Sequence, residues 1–354
     1  MEAFIPYIQA VGRGEKLKRD LTCDEAEEAM RLILAGDASP AQVGAFLVSQ
    51  RVKGESAEEI VGFTRAARAF AQQIAPRVEG LMDLGLPYDG KVKTLQLAPA
   101  AAIVLAAAGQ PVVFHGAPDV PTKRGVGPAE VLAALDIPAD LPPEVVERQV
   151  EEVGIGFLYA PRFIPAWHAL TPIRQQFGLR TALNTVEKFL NPANAPLVVA
   201  GFFHMGYLQR MRLALQALFG QGWIIQGPEG SIECPPGRAT RVLSADPAAD
   251  PLVIDSQALG LEGRGELAAP GEPAAHARLL HQLLADPAGA ERADALRFAR
   301  DTLFLTAGLL LFLGGRAVDL AAGVELARQT VEQGAALERL QAWQALCRAA
   351  TVGG

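Results

Sequence analysis

The hydrophobic pattern of the chain changes period at Pro76, and that change limits the available folds more than any other feature. Before it, apolar residues recur at helical spacing. The stretch LTCDEAEEAMRLILAG (21–36) has Thr22 with Glu25 three residues on, a capping box. Ala26, Ala29, Met30 and Ile33 then share one face and Gly36 ends the run. Ser39-Pro40 opens a second helix and Ser56, followed by Glu58 and Glu59, a third. Short connections between such helices predict a bundle over residues 1–75. After Pro76, LMDLGL, TLQL and PVVFHG read as short strands, and GPAEVLAALD as a helix. APAAAIVLAAAG reads as a helix that is apolar all round and therefore buried on every side. IGFLYAP, PLVVAGFF and GWIIQG continue the alternation, TRVL and PLVI are further strand candidates, and 276–348 is almost all helix. This is the grammar of an α/β fold with a mainly parallel sheet. The helical pieces PAWHALTPIRQQFGL and RTALNTVEKFLNPANAP interrupt it and are expected to fold back on the bundle. The expected division is a helical domain of 1–75 completed by 165–190, and an α/β domain of 76–164 and 191–354.

With half of its 354 residues hydrophobic and 20% charged, the chain can bury a sizeable core. Its net charge of -7, from 32 bases and 39 acids, gives no overall attraction to nucleic acid or anionic membranes. Cys23, Cys234 and Cys347 lie far apart and form neither a metal pattern nor a disulfide framework. The N-terminus has no apolar signal core. The apolar run 95–114 is broken by Pro99, Gly109, Gln110 and Pro111, and 303–313 is shorter than the roughly 20 residues a span needs. The expectation is a cytoplasmic protein with no membrane contact.

In parallel sheets, ligands bind where loops leave the carboxyl ends of strands, and three such loops stand out. DLGLPYDG, from Asp83 to Gly90, leads to Lys91 and Lys93. HGAPDVPTKRGVG, from His115 to Gly127, runs into a helix. A glycine-rich turn there offers backbone N–H groups and the helix dipole to an anion, and Lys123 and Arg124 add charge. The plainer reading is a connector with two solvated bases. In QGPEGSIE, from Gln226 to Glu233, Glu229 and Glu233 either hold a magnesium ion on a phosphate-bearing ligand or are simply solvated. The backbone position of His115 is expected to matter more than its imidazole, and His168 and His204 read as packing histidines. No Ser-His-Asp order, metal-ligand pair or Walker-type phosphate loop is present.

Several longer phrases resemble one family, anthranilate phosphoribosyltransferase, over nearly the whole chain. LTCDEAEEAMRLILAGDASPAQVGAFLVSQRVKGESAEEIVGFTRAAR is similar to its N-terminal helical segment, and AAAIVLAAAGQPVVFHG to the core helix and strand that end in Lys-His-Gly-Asn. TPIRQQFGLRTALNTVEKFLNPA resembles its hinge region and GVELARQTVEQGAALERL its last helices. The resemblance implies a small helical domain and a larger α/β domain of the class III phosphoribosyltransferase and nucleoside phosphorylase type. It also implies a cleft between them and a homodimer formed through the helical domains. The site motifs depart from the pattern. Gly85, Leu86, Pro87, Tyr88, Asp89 and Gly90 stand where the family reads Gly-Thr-Gly-Gly-Asp-Gly. Proline there removes a donor, and tyrosine fills space a phosphate needs. Gln96, Leu97, Ala98 and Pro99 replace Asn-x-Ser-Thr, and Phe114, His115, Gly116 and Ala117 replace Lys-His-Gly-Asn. Pro121 and Thr122 replace two serines, and Ile232-Glu233 replaces the metal-binding Asp-Glu pair. Gly116, Thr122, Gly125 and Glu233 are retained, with Arg174 at the position of the family's substrate-carboxylate arginine.

Each charge-assisted phosphate contact contributes roughly 1.5–3 kcal/mol, so four losses remove most of a millimolar-to-micromolar affinity. The leading expectation is a divergent paralogue that binds a phosphate-bearing ligand in the cleft and has lost anthranilate transfer. Gly85, Asp89, His115, Gly116, Thr122 and Gly125 would shape the site, Lys91, Lys93, Lys123 and Arg124 would hold the anion, and Arg174 would face them. Mg2+ at Glu229 and Glu233 is the only cofactor the residues suggest, with no organic cofactor. One alternative is an active phosphoribosyl or glycosyl transferase on another acceptor, with Glu229 and Glu233 as a replacement metal pair. The other is a nucleic-acid-binding dimer with a cleft lined by Lys16, Lys18, Arg19, Lys91, Lys93, Lys123, Arg124, Arg210 and Arg212, against which the net charge counts.

Overall fold

The computed structural model describes residues 2–261, 265–286, 289 and 293–352. Helices Ile5–Gly12, Gly14–Leu17, Cys23–Leu34, Pro40–Lys53 and Ala57–Phe70 form the expected N-terminal bundle. Thr22 with Glu25, Ser39 with Gln42 and Ser56 with Glu59 each close a capping box, which satisfies N–H groups that a helix start leaves unpaired. Phe46 sits at the centre, edge-on to both Phe4 and Phe63.

Seven strands follow: β1 (Met82–Gly85), β2 (Val112–Gly116), β3 (Ile155–Tyr159), β4 (Leu197–Gly201), β5 (Trp223–Ile225), β6 (Thr240–Ser244) and β7 (Leu252–Ile254). They form one sheet in the order β3-β2-β1-β4-β5-β6-β7. Neighbours from β3 to β5 run parallel, and β6 and β7 join antiparallel at the edge, so the sheet is mainly parallel as expected. The strand order reverses between β1 and β4. Chain leaving the carboxyl ends of these two strands therefore diverges and opens a crevice, the usual ligand position in such sheets.

The alanine-rich helix Ala98–Ala107 is buried from Ala98 through Ala106. It packs on helices Asp294–Leu313, Leu320–Glu332 and Ala335–Val352. The interrupting segment becomes four short helices, Ala160–Phe163, Pro165–His168, Thr171–Phe177 and Leu183–Val186. Thr171–Phe177 lies on Pro40–Lys53, and Leu183–Val186 on Ala57–Phe70. Helices Pro143–Val153 and Leu208–Phe219 were not singled out in the sequence. No helix among the described residues is long and apolar enough to cross a membrane, and none of the three cysteines is in a disulfide.

One strand expectation is corrected. TLQL (94–97) makes only an isolated bridge from Thr94 to Ala268 and then enters the alanine-rich helix. Its backbone donors are taken elsewhere. Thr94 N–H donates to Glu229, Leu95 N–H to Leu267 O, Gln96 N–H to His276 Nδ1, and Leu97 N–H to Glu233.

Candidate functional site

A half-open cleft enclosing about 690 Å³ of empty space, part of it open to solvent, lies at the β1/β4 crevice. Arg51 and Glu55 line it from the bundle side. Asp89, Arg180, Thr181, Asn184 and Lys188 line it from the loops and short helices, and Phe202, Phe203, His204 and Tyr207 from the chain after β4. Close backbone approach builds its floor. A Cβ on Gly85, the last residue of β1, would lie 2.1 Å from Lys188 O, and one on Gly201, the last of β4, 2.3 Å from Ser231 O.

The loop after β1 is held by charges within the chain. Asp89 is 1% exposed and accepts three hydrogen bonds from Arg180, Nε to Oδ2 at 2.8 Å and Nη2 to Oδ1 at 2.8 Å and to Oδ2 at 2.6 Å. Glu229 adopts a left-handed backbone (φ 55°) that aims its carboxylate back at this loop. There it accepts from the N–H groups of Val92, Lys93 and Thr94 at 2.8–3.1 Å, with Lys123 Nζ at 3.3 Å. Burial pushes the Glu229 carboxyl up, but the Val92 and Lys93 N–H groups and the Lys123 ammonium outweigh it and bring it down to about 2. Glu233 is fully buried. It accepts from the N–H groups of Leu97 and Ala98 at 3.2 Å and pairs with the equally buried Lys91 Nζ at 2.9 Å.

Several sequence expectations change as a result. Glu229 and Glu233 are not solvated, with side-chain exposures of 13% and 0%. Among the described residues no group of three or more His, Cys, Asp or Glu side chains is placed to hold a metal ion. Lys91 faces Glu233 instead of an open anion site, and Lys93 is exposed, contributing its backbone N–H. Lys123 does reach the site, 3.7 Å from Asp89 and 3.3 Å from Glu229, while Arg124 turns to the surface beside Asp119. Thr122 is half-buried in the same loop. Gly125 makes the close approach that joins the two loops, since a Cβ there would meet Lys91 O at 2.5 Å. Gly116 ends β2 against the Phe157 ring.

The His115 imidazole is hydrogen-bonded on both sides of the ring. It is buried, with Nδ1 2.6 Å from the Tyr88 hydroxyl and Nε2 3.3 Å from Asp83 Oδ1. Burial, with Glu187 and Asp83 nearby, pushes the Tyr88 phenol well up, so Tyr88 stays protonated and fills the loop interior. Arg174 is 3% exposed and is ion-paired with the fully buried Glu187, which also accepts from Trp167 Nε1 at 3.4 Å. Arg174 Nη2 is buried without a hydrogen-bond partner. His204 is exposed at the cleft mouth and stands edge-on to Phe203, so it is not a packing histidine, whereas His168 is half-buried. Several of the bases expected along a nucleic-acid groove are held within the chain. Lys91 and Arg212 are buried, Arg212 donates to the Ser244, Asp246 and Ala249 carbonyls, and Lys18 and Arg19 are paired with Glu15 and Glu25.

Sequence reasoning missed Arg180, Lys188, Thr181, Asn184, Arg51 and Glu55. Lys188 is 9% exposed, and its Nζ donates to Gly201 O at 2.6 Å and Gly230 O at 2.7 Å. Burial lowers its ammonium to about 7, with Arg180 adding to the effect. Thr181 Oγ1 and Asn184 Nδ2 are buried without a hydrogen-bond partner. The available signal was the polar spacing of Arg180, Thr181, Asn184, Glu187 and Lys188 in a segment too polar for its burial.

Comparison with known proteins agrees with this architecture. Residues 5–71 match the helical bundle domain of a glycosyl transferase family and residues 89–337 its a/b domain. The anthranilate phosphoribosyltransferase of Azorhizobium caulinodans is 33% identical over 96% of this chain and 95% of its own length. That of Rubrobacter xylanophilus is 35% identical over 94% of each. The crystal structure of the Thermus thermophilus enzyme superposes with a TM-score of 0.83 at 32% identity, covering 98% of this chain and 100% of that one. The Saccharomyces cerevisiae enzyme in complex with PRPP and Mg shares the fold, with a TM-score of 0.84 at 19% identity and 98% of each chain covered. With matched domains, full-length relatives and a common fold, this chain belongs to the anthranilate phosphoribosyltransferase family.

Proposed function

We propose that the protein binds a small phosphate-bearing ligand in the β1/β4 cleft and does not carry out magnesium-dependent phosphoribosyl transfer to anthranilate. One observation carries this reading: the loop after β1 is already neutralised from within. The Glu229 carboxylate sits in the ring of Val92, Lys93 and Thr94 N–H groups, where a phosphate would bind. The Lys91 ammonium sits 2.9 Å from Glu233, where a divalent cation would need that carboxylate. Mg2+ there would face a buried positive charge at contact distance, so these residues do not fit the ion. The cations left lining the cleft are Arg51 and Arg180, the latter shared with Asp89, and the unpartnered Thr181 hydroxyl adds a neutral donor.

The test is isothermal titration of phosphoribosyl pyrophosphate (PRPP) with and without Mg2+, together with a fluorescence assay for anthranilate consumption. The expected result is the same affinity in both titrations, loss of binding in Arg51→Ala, and no turnover. Magnesium-dependent consumption of anthranilate would overturn the reading and restore the transferase chemistry of the relatives.

A further inference from the structure

Lys188 occupies the switch point of the sheet, and its surroundings are unusual for a lysine. Its backbone carbonyl closes on Gly85 at the end of β1, and its Nζ is held between the carbonyl oxygens of Gly201, at the end of β4, and Gly230. Among the described residues no carboxylate lies within ion-pair distance of it. The other buried lysines differ: Lys53 is paired with Asp20 and Glu59, and Lys91 with Glu233. An unprotonated amine has two N–H bonds and one lone pair. Two carbonyl acceptors use both N–H bonds and leave the lone pair without a partner. Lys188 lines the cleft, and Gly230 keeps the approach clear, since a Cβ there would come within 3.2 Å of Nζ.

We propose that Lys188 is a nucleophilic amine that forms an imine with a carbonyl-bearing ligand, an aldehyde or ketone that also carries an acid group. Nζ attacks the carbonyl carbon, and the C–N bond forms as the C=O π pair moves to oxygen. The carbinolamine then loses that oxygen as water, taking both former amine hydrogens, and leaves a C=N bond. No oxidant or reductant takes part. Burial favours the neutral amine near pH 7, which is the form the attack needs. Arg180 and Arg51 supply the positive charge for the acid group, and in this respect alone the proposal rests on the anion-binding reading above. The exposed Phe203 ring, 44% accessible, offers a surface for a flat ligand at the mouth.

The chain has only seven lysines, so adduct mapping is unambiguous. The intact protein is incubated with pyridoxal 5′-phosphate, and in parallel with pyridoxal, reduced with cyanoborohydride, digested and mapped by mass spectrometry across pH 6–10. The expected result is that Lys188 carries the dominant adduct, with a labelling rate half-maximal near pH 7. The phosphate form should saturate at a concentration at least tenfold lower than pyridoxal. Labelling confined to the exposed lysines, or a Lys188 rate still rising at pH 9, overturns the proposal. Equal labelling of Lys188 by both probes supports the imine and removes the anion-binding reading. A Lys188→Arg variant that folds and loses the adduct confirms the site, and the wild-type map stands even if that variant does not fold.

Discussion

Replacing Glu229 with alanine removes the carboxylate from the loop after β1 and leaves the backbone cost unchanged, because both residues carry a Cβ in the left-handed conformation at φ 55°. The magnitude follows from the acidity of the group. The carboxyl is held at about 2 in the folded protein. An unfolded glutamate titrates near 4.3, and at about 1.4 kcal/mol per unit the difference is roughly 3 kcal/mol. The side chain keeps 13% exposure, and solvent screening brings the figure to about 2 kcal/mol. Because the folded-state value is depressed, this stabilisation is complete above about pH 5 and is lost as pH falls toward 2. The variant should therefore unfold about 2 kcal/mol more easily at pH 7, about 1 kcal/mol more easily at pH 3, and nearly level with wild type only at about pH 2. It also frees the Val92, Lys93 and Thr94 N–H groups and Lys123 for an anion. Phosphate binding with a Kd of about 1 mM would restore about 2.7 kcal/mol at 100 mM. Thermal unfolding in phosphate and in chloride at matched ionic strength reads both effects. A loss of equal size at pH 7 and pH 3, with no difference between phosphate and chloride, would refute the idea that the loop binds Glu229 as an anion.

Three further outcomes are expected. Lys91→Met leaves Glu233 charged and buried without its partner and should cost about 3–5 kcal/mol, whereas Lys91→Met with Glu233→Gln should recover most of that in urea unfolding. Gly85→Ala puts a Cβ 2.1 Å from Lys188 O and should destabilise by about 1–3 kcal/mol; because it displaces Lys188, it should also slow the labelling of that amine. Arg180→Ala exposes the Asp89 carboxylate to the cleft, so PRPP affinity should fall at least tenfold by titration calorimetry.

The fold was legible because its signals are local. Thr22 with Glu25 and Ser56 with Glu59 mark helix starts within four residues, and PVVFHG and PLVVAGFF carry strand length and composition in themselves. TLQL carried the same local signal and was misread, because its N–H groups pair with Glu229, His276 and Glu233, residues far along the chain. The site failed for the same physical reason. Nothing near Lys91 announces Glu233, and nothing near Asp89 announces Arg180. The altered glycine-rich loop was visible as a departure from the family pattern. The internal charges that fill it were visible only as ordinary surface residues, and a sequence does not show which charges fold into contact.

The alanine-rich helix Ala98–Ala107 also sets a limit on how this sequence can drift. Six of its ten residues are alanine, and it packs against three other helices. A larger residue meets a wall and a glycine loosens the helix by about 1 kcal/mol, so substitutions in either direction are penalised. Mutational tolerance should therefore be low across the whole of this helix.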